Sequence, residues 1–284
     1  MIARGTPIAV VAPSGAYDPA RLAAGIDLLR ARGHDPRPLP GLDAQWRYLA
    51  GSDDHRAAQL MHALTSDDFG AVWIARGGYG LTRILDRLPL ETLPQRPVIG
   101  FSDVTGLFCA LDRAGCGPLI HGPVVHSLGI TDAESLDHLF DLVEGRPVRP
   151  LTGQSWEEGT TSGRLVGGNI CVLAATCGTP WQLDARDAVL VLEEVGEPAY
   201  RLDRLLQQLE SAGVFAGVRG FAVGQMHHCR VPDGATYRIE DVLRDHLCGR
   251  GLPVVGDLPI GHAHANRAFP WGAEARLGTG QLSW

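Results

Sequence analysis

In the first half of the chain, short unbroken apolar runs alternate with stretches of helical spacing. Residues 8–12 (Ile8-Ala9-Val10-Val11-Ala12), 71–75 and 97–101 are each bounded by turn formers, the pattern of strands buried on both faces. Residues 118–122 read the same way. Between them, helices are predicted from Asp18-Pro19 to Gly33, from Ser52 to about 64, from Asp103 to about 114, and from about 132 to 143. Their starts carry capping acids or serine, and Gly33 and Gly145 stop two of them. Apolar residues also repeat at helical spacing over 81–88. Such alternation implies an α/β domain over 1–145, an open parallel sheet with right-handed crossovers.

The pattern fails between Arg146 and Gly163, where turn formers and polar residues follow no period, and 146–163 reads as a linker. Beyond it, Arg164 to Asn169 leads into an apolar helix ending near Cys177. Residues 188–192 form a buried run ending at Glu193-Glu194. A strong amphipathic helix is predicted over 199–211, with Leu202, Leu205, Leu206 and Leu209 on one stripe. Residues 220–224, 253–257 and 271–277 read as strands and 239–247 as a helix. More strands and glycine turns per residue predict a second, α+β and barrel-like domain over 164–284.

A net charge of −7 without any Lys/Arg run argues against a nucleic-acid partner, which needs a basic face. No apolar segment is long enough to span a bilayer. The first residues enter a strand-like run without a signal-peptide pattern, so a cytoplasmic location is expected. The six cysteines contain no C-x-x-C and mostly sit in apolar segments, as small hydrophobes in a reducing compartment do.

Candidate chemistry gathers where predicted strands end, the edge at which open parallel sheets bind ligands. Gly100-Phe101-Ser102-Asp103 is a tight turn from strand to helix that would lift one hydroxyl out of the backbone. Serine is equally an N-cap residue, so both roles fit Ser102. Arg76-Gly77-Gly78-Tyr79-Gly80 is neither a dinucleotide fingerprint nor a P-loop. It is either a plain turn or a set of backbone N–H groups aimed at an anion. Glu193 continues a wholly apolar run and, if buried, needs a partner. Gly261-His262-Ala263-His264 and His227-His228-Cys229 admit a metal site, but no carboxylate or thiolate cluster accompanies them; a histidine general base suits the loop better. Ser102, Glu193 and His262 follow one of the convergent triad orders. His262 would take the Ser102 proton, Glu193 would orient the ring, and the backbone at Asp103 and Gly77-Gly78 would hold the oxyanion. Val104 stands where esterases carry glycine, so a standard α/β-hydrolase is not indicated.

Together with Gly167-Gly168-Asn169, these segments closely resemble the LD-carboxypeptidases, the muramoyltetrapeptide carboxypeptidases of bacterial cell-wall recycling, in order over nearly the whole chain. The resemblance implies a Rossmann-like N-terminal domain, a smaller C-terminal domain, and a site where the two meet. It implies a Ser102–His262–Glu193 serine peptidase that removes the terminal D-alanine from murein tetrapeptides, in the cytosol and without metal or cofactor. It also implies a homodimer. Arg76 is the candidate for gripping the substrate's terminal carboxylate, its other reading being an ion pair with a structural acid. A sister group conferring self-immunity to microcin C is the alternative enzyme. A non-catalytic small-molecule binding protein is the alternative outside enzymes.

Overall fold

The computed structural model describes residues 1–284, the side chain of Glu91 excepted. The first elements are β1 (Pro7–Val11), α1 (Pro19–Ala31), β2 (Asp35–Pro38), α2 (Asp53–Thr65), β3 (Ala71–Ile74), β4 (Val98–Gly100), α3 (Val104–Arg113), β5 (Leu119–His121), α4 (Val125–Leu128) and α5 (Ala133–Glu144). Next come β6 (Leu151–Thr152), β7 (Gln154–Glu157), β8 (Thr160–Asn169), α6 (Ile170–Thr176), β9 (Ala188–Val195), α7 (Ala199–Ser211) and β10 (Gly220–His227). The chain closes with α8 (Ile239–Leu247), β11 (Val254–Gly256), β12 (Phe269–Trp271), β13 (Glu274–Gly278) and β14 (Gln281–Ser283). Two compact units result: Met1–Val148 with Ala268–Pro270, and Arg149–Arg267 with Trp271–Trp284.

The first unit is built on a six-stranded sheet in the order β12-β5-β4-β3-β1-β2. Strands β1 to β5 run parallel. The order reverses between β1 and β3, which places a crevice beyond their carboxyl ends. β1, β3 and β4 are almost wholly buried, as their unbroken apolar runs require. Trp73 on β3 is fully buried against Phe140 of α5. Its one polar atom is satisfied, Nε1 donating to the Pro123 carbonyl at 2.9 Å. β2 has no apolar signature. Its Asp-Pro-Arg-Pro sequence lacks two N–H donors, which a strand at the sheet edge tolerates. The apolar repeat over 81–88 forms only two three-residue turns, Leu81–Arg83 and Leu85–Arg87, before Pro89 prevents a longer ladder.

The second unit carries an eight-stranded sheet in the order β6-β14-β13-β8-β9-β10-β11-β7. Its centre, β8 to β11 by way of β9 and β10, is parallel. The flanking strands are antiparallel. The two edge strands β6 and β7 are consecutive in the chain, with only Gly153 between them. The sheet therefore curls until its edges meet, which is the barrel-like form. Gly153 N–H donates to the Gly280 carbonyl at 2.8 Å. A Cβ at Gly153 would lie 2.1 Å from the Gly256 carbonyl oxygen. Residues 146–163, expected as a linker, thus carry β6, β7 and the start of β8. Their polar composition matches strands that are partly exposed and that pair with β11, β13 and β14, far along the chain. On α7, Leu202, Leu206 and Leu209 are buried, while Leu205 lies at the rim.

Among the described residues, no helix is long and apolar enough to cross a membrane.

The closure at Gly153 has a direct test. In Gly153→Ala the new methyl meets backbone, which cannot swing aside, so urea unfolding should show a loss of about 1–3 kcal/mol. An unchanged midpoint would mean the two edges separate at no cost.

Candidate active site

Ser102 stands between β4 and α3 with φ +66°, the left-handed region that a non-glycine residue seldom occupies. β4 ends in the fully buried Gly100, where a Cβ would strike Val104 and Ile74. The chain therefore turns sharply, and α3 starts at once under a fully apolar face. The helix is not capped by the Ser102 side chain: its N-cap is Asp103, and no side-chain hydrogen bond caps it. Gly77 comes closest to the hydroxyl. A Cβ on Gly77 would lie 2.9 Å from Ser102 Cβ and 3.1 Å from Oγ. Only glycine permits that approach. Among the described residues, no backbone carbonyl accepts from the N–H groups of Gly77, Gly78 or Asp103.

The glycine turn is braced from several sides. Gly15 N–H donates to the Gly77 carbonyl at 3.1 Å, tying the ends of β1 and β3 together across the crevice. The fully buried Arg56 of α2 donates to the carbonyls of Pro13 and Gly80, and pairs with Asp53. Hydrogen bonds from Arg83 and then Arg56, against partial burial, hold the Asp53 carboxyl down to about 2. The Asp103 carboxylate is buried and accepts from Leu81 N–H at 2.9 Å. Burial pushes its pKa up, against the opposing pull of Leu81 N–H, the buried Ser14 hydroxyl and Arg56. Leu81 follows the glycine turn, so the residue after Ser102 fixes the far end of the loop that approaches Ser102.

Arg76 is half-buried at the end of β3. His126 lies beside it, its backbone N–H donating to the Ala75 carbonyl at 2.9 Å. Burial, reinforced by the charges of Arg21 and Arg76, holds the His126 ring down to about 4. A neutral imidazole and a guanidinium thus share this rim of the first unit.

In the second unit the sequence-predicted acid and histidine are in direct contact. His262 Nδ1–H donates to Glu193 Oε2 at 2.7 Å, which leaves Nε2 as the proton-accepting nitrogen. Glu193 is fully buried near the end of β9, in register with Asn169 of β8. His262 lies in the loop after β11. Gly261 has φ +139°, and a Cβ there would sit 3.2 Å from Glu193 Oε2. Burial opposes a charged imidazole, but the Glu193 charge and hydrogen bond, with a smaller contribution from Glu194, raise the His262 pKa overall.

Glu193 and its neighbour have different tasks, because successive residues of a strand face opposite sides. Glu194 accepts from Val195 N–H at 2.8 Å, Asn169 Nδ2 at 2.9 Å and Cys171 N–H at 2.7 Å. It thereby satisfies a first-turn donor of α6. Gln225, which periodicity left unmarked, clamps the His262 loop: Nε2 donates to the Ala265 carbonyl at 2.8 Å, and Oε1 accepts from Ala263 N–H at 3.0 Å. The only hint in the sequence is a polar residue directly after the buried run 220–224. His227 lies near His228, His262 and His264, and burial and these neighbours lower its pKa. Among the described residues, no three His, Cys, Asp or Glu side chains are grouped to hold a metal ion.

A parallel-sheet unit and a curled mixed-sheet unit, with these groups at their strand ends, define a two-domain protein of the mixed α/β class. Residues 8–122 match the LD-carboxypeptidase N-terminal domain and residues 162–277 the C-terminal domain. The chain belongs to the LD-carboxypeptidase family. It is 34% identical over 295 residues to the murein tetrapeptide carboxypeptidase of Pseudomonas aeruginosa, covering 98% of this chain and 94% of that one. The crystal structure of muramoyltetrapeptide carboxypeptidase from Oxalobacter formigenes is similar with a TM-score of 0.83, at 29% identity over 98% of this chain and 97% of its own. A microcin C7 self immunity protein shares the fold with a TM-score of 0.87, at 18% identity over 99% and 96% of the two chains.

The Glu193–His262 pair has a spectroscopic signature. An NMR titration should place the His262 pKa above its ordinary value of about 6.5, and Glu193→Gln should lower it by removing the charge that favours imidazolium. An unmoved His262 pKa in that variant would show that Glu193 does not control the ring.

Proposed function

We propose that this chain is a serine-type LD-carboxypeptidase that removes the terminal D-alanine from murein tetrapeptides in the cytosol, during peptidoglycan recycling, as a homodimer. The observation that most supports this is the buried Glu193 carboxylate bound to His262 at 2.7 Å. Family membership and the left-handed Ser102 support it further.

His262 Nε2 takes the Ser102 proton as Oγ attacks the carbonyl before D-alanine. Glu193 fixes the ring tautomer and stabilises the imidazolium. The N–H groups of Asp103 and of Gly77-Gly78 receive the developing oxyanion, with the start of α3 adding its dipole. The protonated imidazole then gives its proton to the departing amine, and D-alanine leaves an acyl-Ser102. Water, activated by His262, hydrolyses that ester. Arg76 grips the terminal carboxylate of the substrate with two hydrogen bonds, beside the neutral His126.

Because the base must be unprotonated, kcat/KM should rise with pH through the raised His262 pKa. Ser102→Ala should lower D-alanine release by a factor on the order of 10⁴ to 10⁶ and abolish labelling by a serine-directed acylating reagent. Release near the wild-type rate would place the nucleophile elsewhere, and absence of labelling in the wild type would favour a binding protein. Arg76→Lys should raise KM for tetrapeptide about tenfold or more through loss of the bidentate grip. An unchanged KM would remove Arg76 from carboxylate binding.

A further inference from the structure

Opposite Glu193, β10 carries one residue more than the ladder with β9 allows for. Val223 pairs with Leu192 and Met226 with Glu194, so Gly224 and Gln225 together stand against the single residue Glu193. Such a β-bulge is rare between parallel strands, and beside a functional site it re-aims a side chain. Here the bulge turns toward the loop after β11 that carries His262. Leu258 N–H donates to the Val223 carbonyl at 3.0 Å, and Gln225 N–H donates to the Ile260 carbonyl at 2.8 Å. Gly224 permits this approach, since a Cβ there would lie 2.4 Å from the Ile260 carbonyl oxygen and 3.2 Å from Glu193 Cβ. The Gln225 side chain then binds beyond His262, at Ala263 N–H and the Ala265 carbonyl. One irregularity in β10 thus meets both the strand of the acid and the loop of the histidine.

We propose that this bulge aims the imidazole, with Gln225 as a positioning residue for proton transfer, an inference that rests on the reading of His262 as the general base. The hydrogen bond to Glu193 fixes one atom of the ring, Nδ1. A single contact leaves the ring free to pivot about that atom, and Nε2 swings with it. The direction of Nε2 is therefore set by the backbone on either side of His262. That backbone has little side chain with which to pack. Gly261 has φ +139° and no Cβ, and Ala263 and Ala265 are partly exposed with one methyl each. Polar ties take the place of packing. Asn266 Oδ1 accepts from Gly261 N–H at 3.3 Å on one side, and Gln225 holds residues 263 and 265 on the other. A planar amide that donates at one end and accepts at the other fixes distance and angle together, which neither a carboxylate nor a thioether can do. Proton transfer depends steeply on such geometry, a displacement of about 1 Å costing on the order of a hundredfold.

The test uses two variants of the full chain. Gln225→Met keeps the length of the side chain and removes both hydrogen bonds. Gln225→Asn keeps the amide but shortens it by one methylene, so it cannot span both partners. On murein tetrapeptide each variant should lose about ten- to a hundredfold in kcat, with KM within about twofold of wild type. A merely structural role would lower the melting temperature and leave kcat per folded molecule unchanged, and that result would overturn the proposal. Equal damage to kcat and KM would overturn it as well. Proton NMR reads the site without turnover. The His262 Nδ1 proton, drawn downfield by its short bond to Glu193, should broaden or shift in Gln225→Met. A proton resonance identical to wild type in a folded Gln225→Met protein would overturn the positioning role. If wild-type protein released no D-alanine, the peptidase reading would fail by itself. The same resonance would then decide whether Gln225 aims the ring, a shift supporting it and an unmoved signal refuting it.

Discussion

A carboxylate with no exposure to water must be answered by a charge or by donors, and at Glu193 the answer comes from His262. Removing one partner of such a buried pair typically costs about 3–5 kcal/mol, because the other is left desolvated and alone. The surroundings are arranged to keep the pair together. Gly224 and Gly261 have no side chains to fill the space beside the carboxylate, and Gln225 holds the histidine loop by both ends of its amide. The same desolvation that makes the pair costly to break makes its field on the imidazole strong, so one constraint serves both stability and proton affinity.

A comparable economy operates around Ser102. A left-handed backbone at a residue with a side chain costs on the order of 1–3 kcal/mol and persists only where the neighbours over-determine it. Here β4 and α3 are buried on both sides of the turn, and Gly77 packs directly on the serine. Asp103 and Arg56 then fix the loop carrying Gly77 by binding its exit at Leu81 and its carbonyl at Gly80. In the proposed reaction, the strained turn presents the hydroxyl, and the glycine turn presents donors that need not reorganise as charge develops.

The elements legible in the sequence are those with a local signature. Unbroken apolar runs marked β1, β3, β4, β9 and β10 because strands buried on both faces have no polar side to show. The helices α1, α2 and α5 carried capping residues, and α7 carried a leucine stripe. Strands β2, β6 and β7 were not legible. Each lies at a sheet edge, where one side meets solvent and the partner is chosen by the sheet rather than by composition. The apolar repeat at 81–88 misled for a related reason: spacing says which residues face the core, but not whether Pro89 lets a ladder grow.

Ser102, Glu193 and His262 could be picked out because each ends an apolar run with a residue that core packing does not call for. The sequence alone determined the two-domain α/β class and most buried strands, and it nominated these three side chains as candidates, since local pattern and residue chemistry suffice for that. Only the tertiary structure decided that Glu193 rather than Glu194 meets the imidazole, that Gln225 holds the histidine loop, and that the polar stretch around Gly153 closes the second sheet. Those outcomes depend on which face a strand turns inward and on partners distant along the chain, neither of which leaves a trace in neighbouring residues.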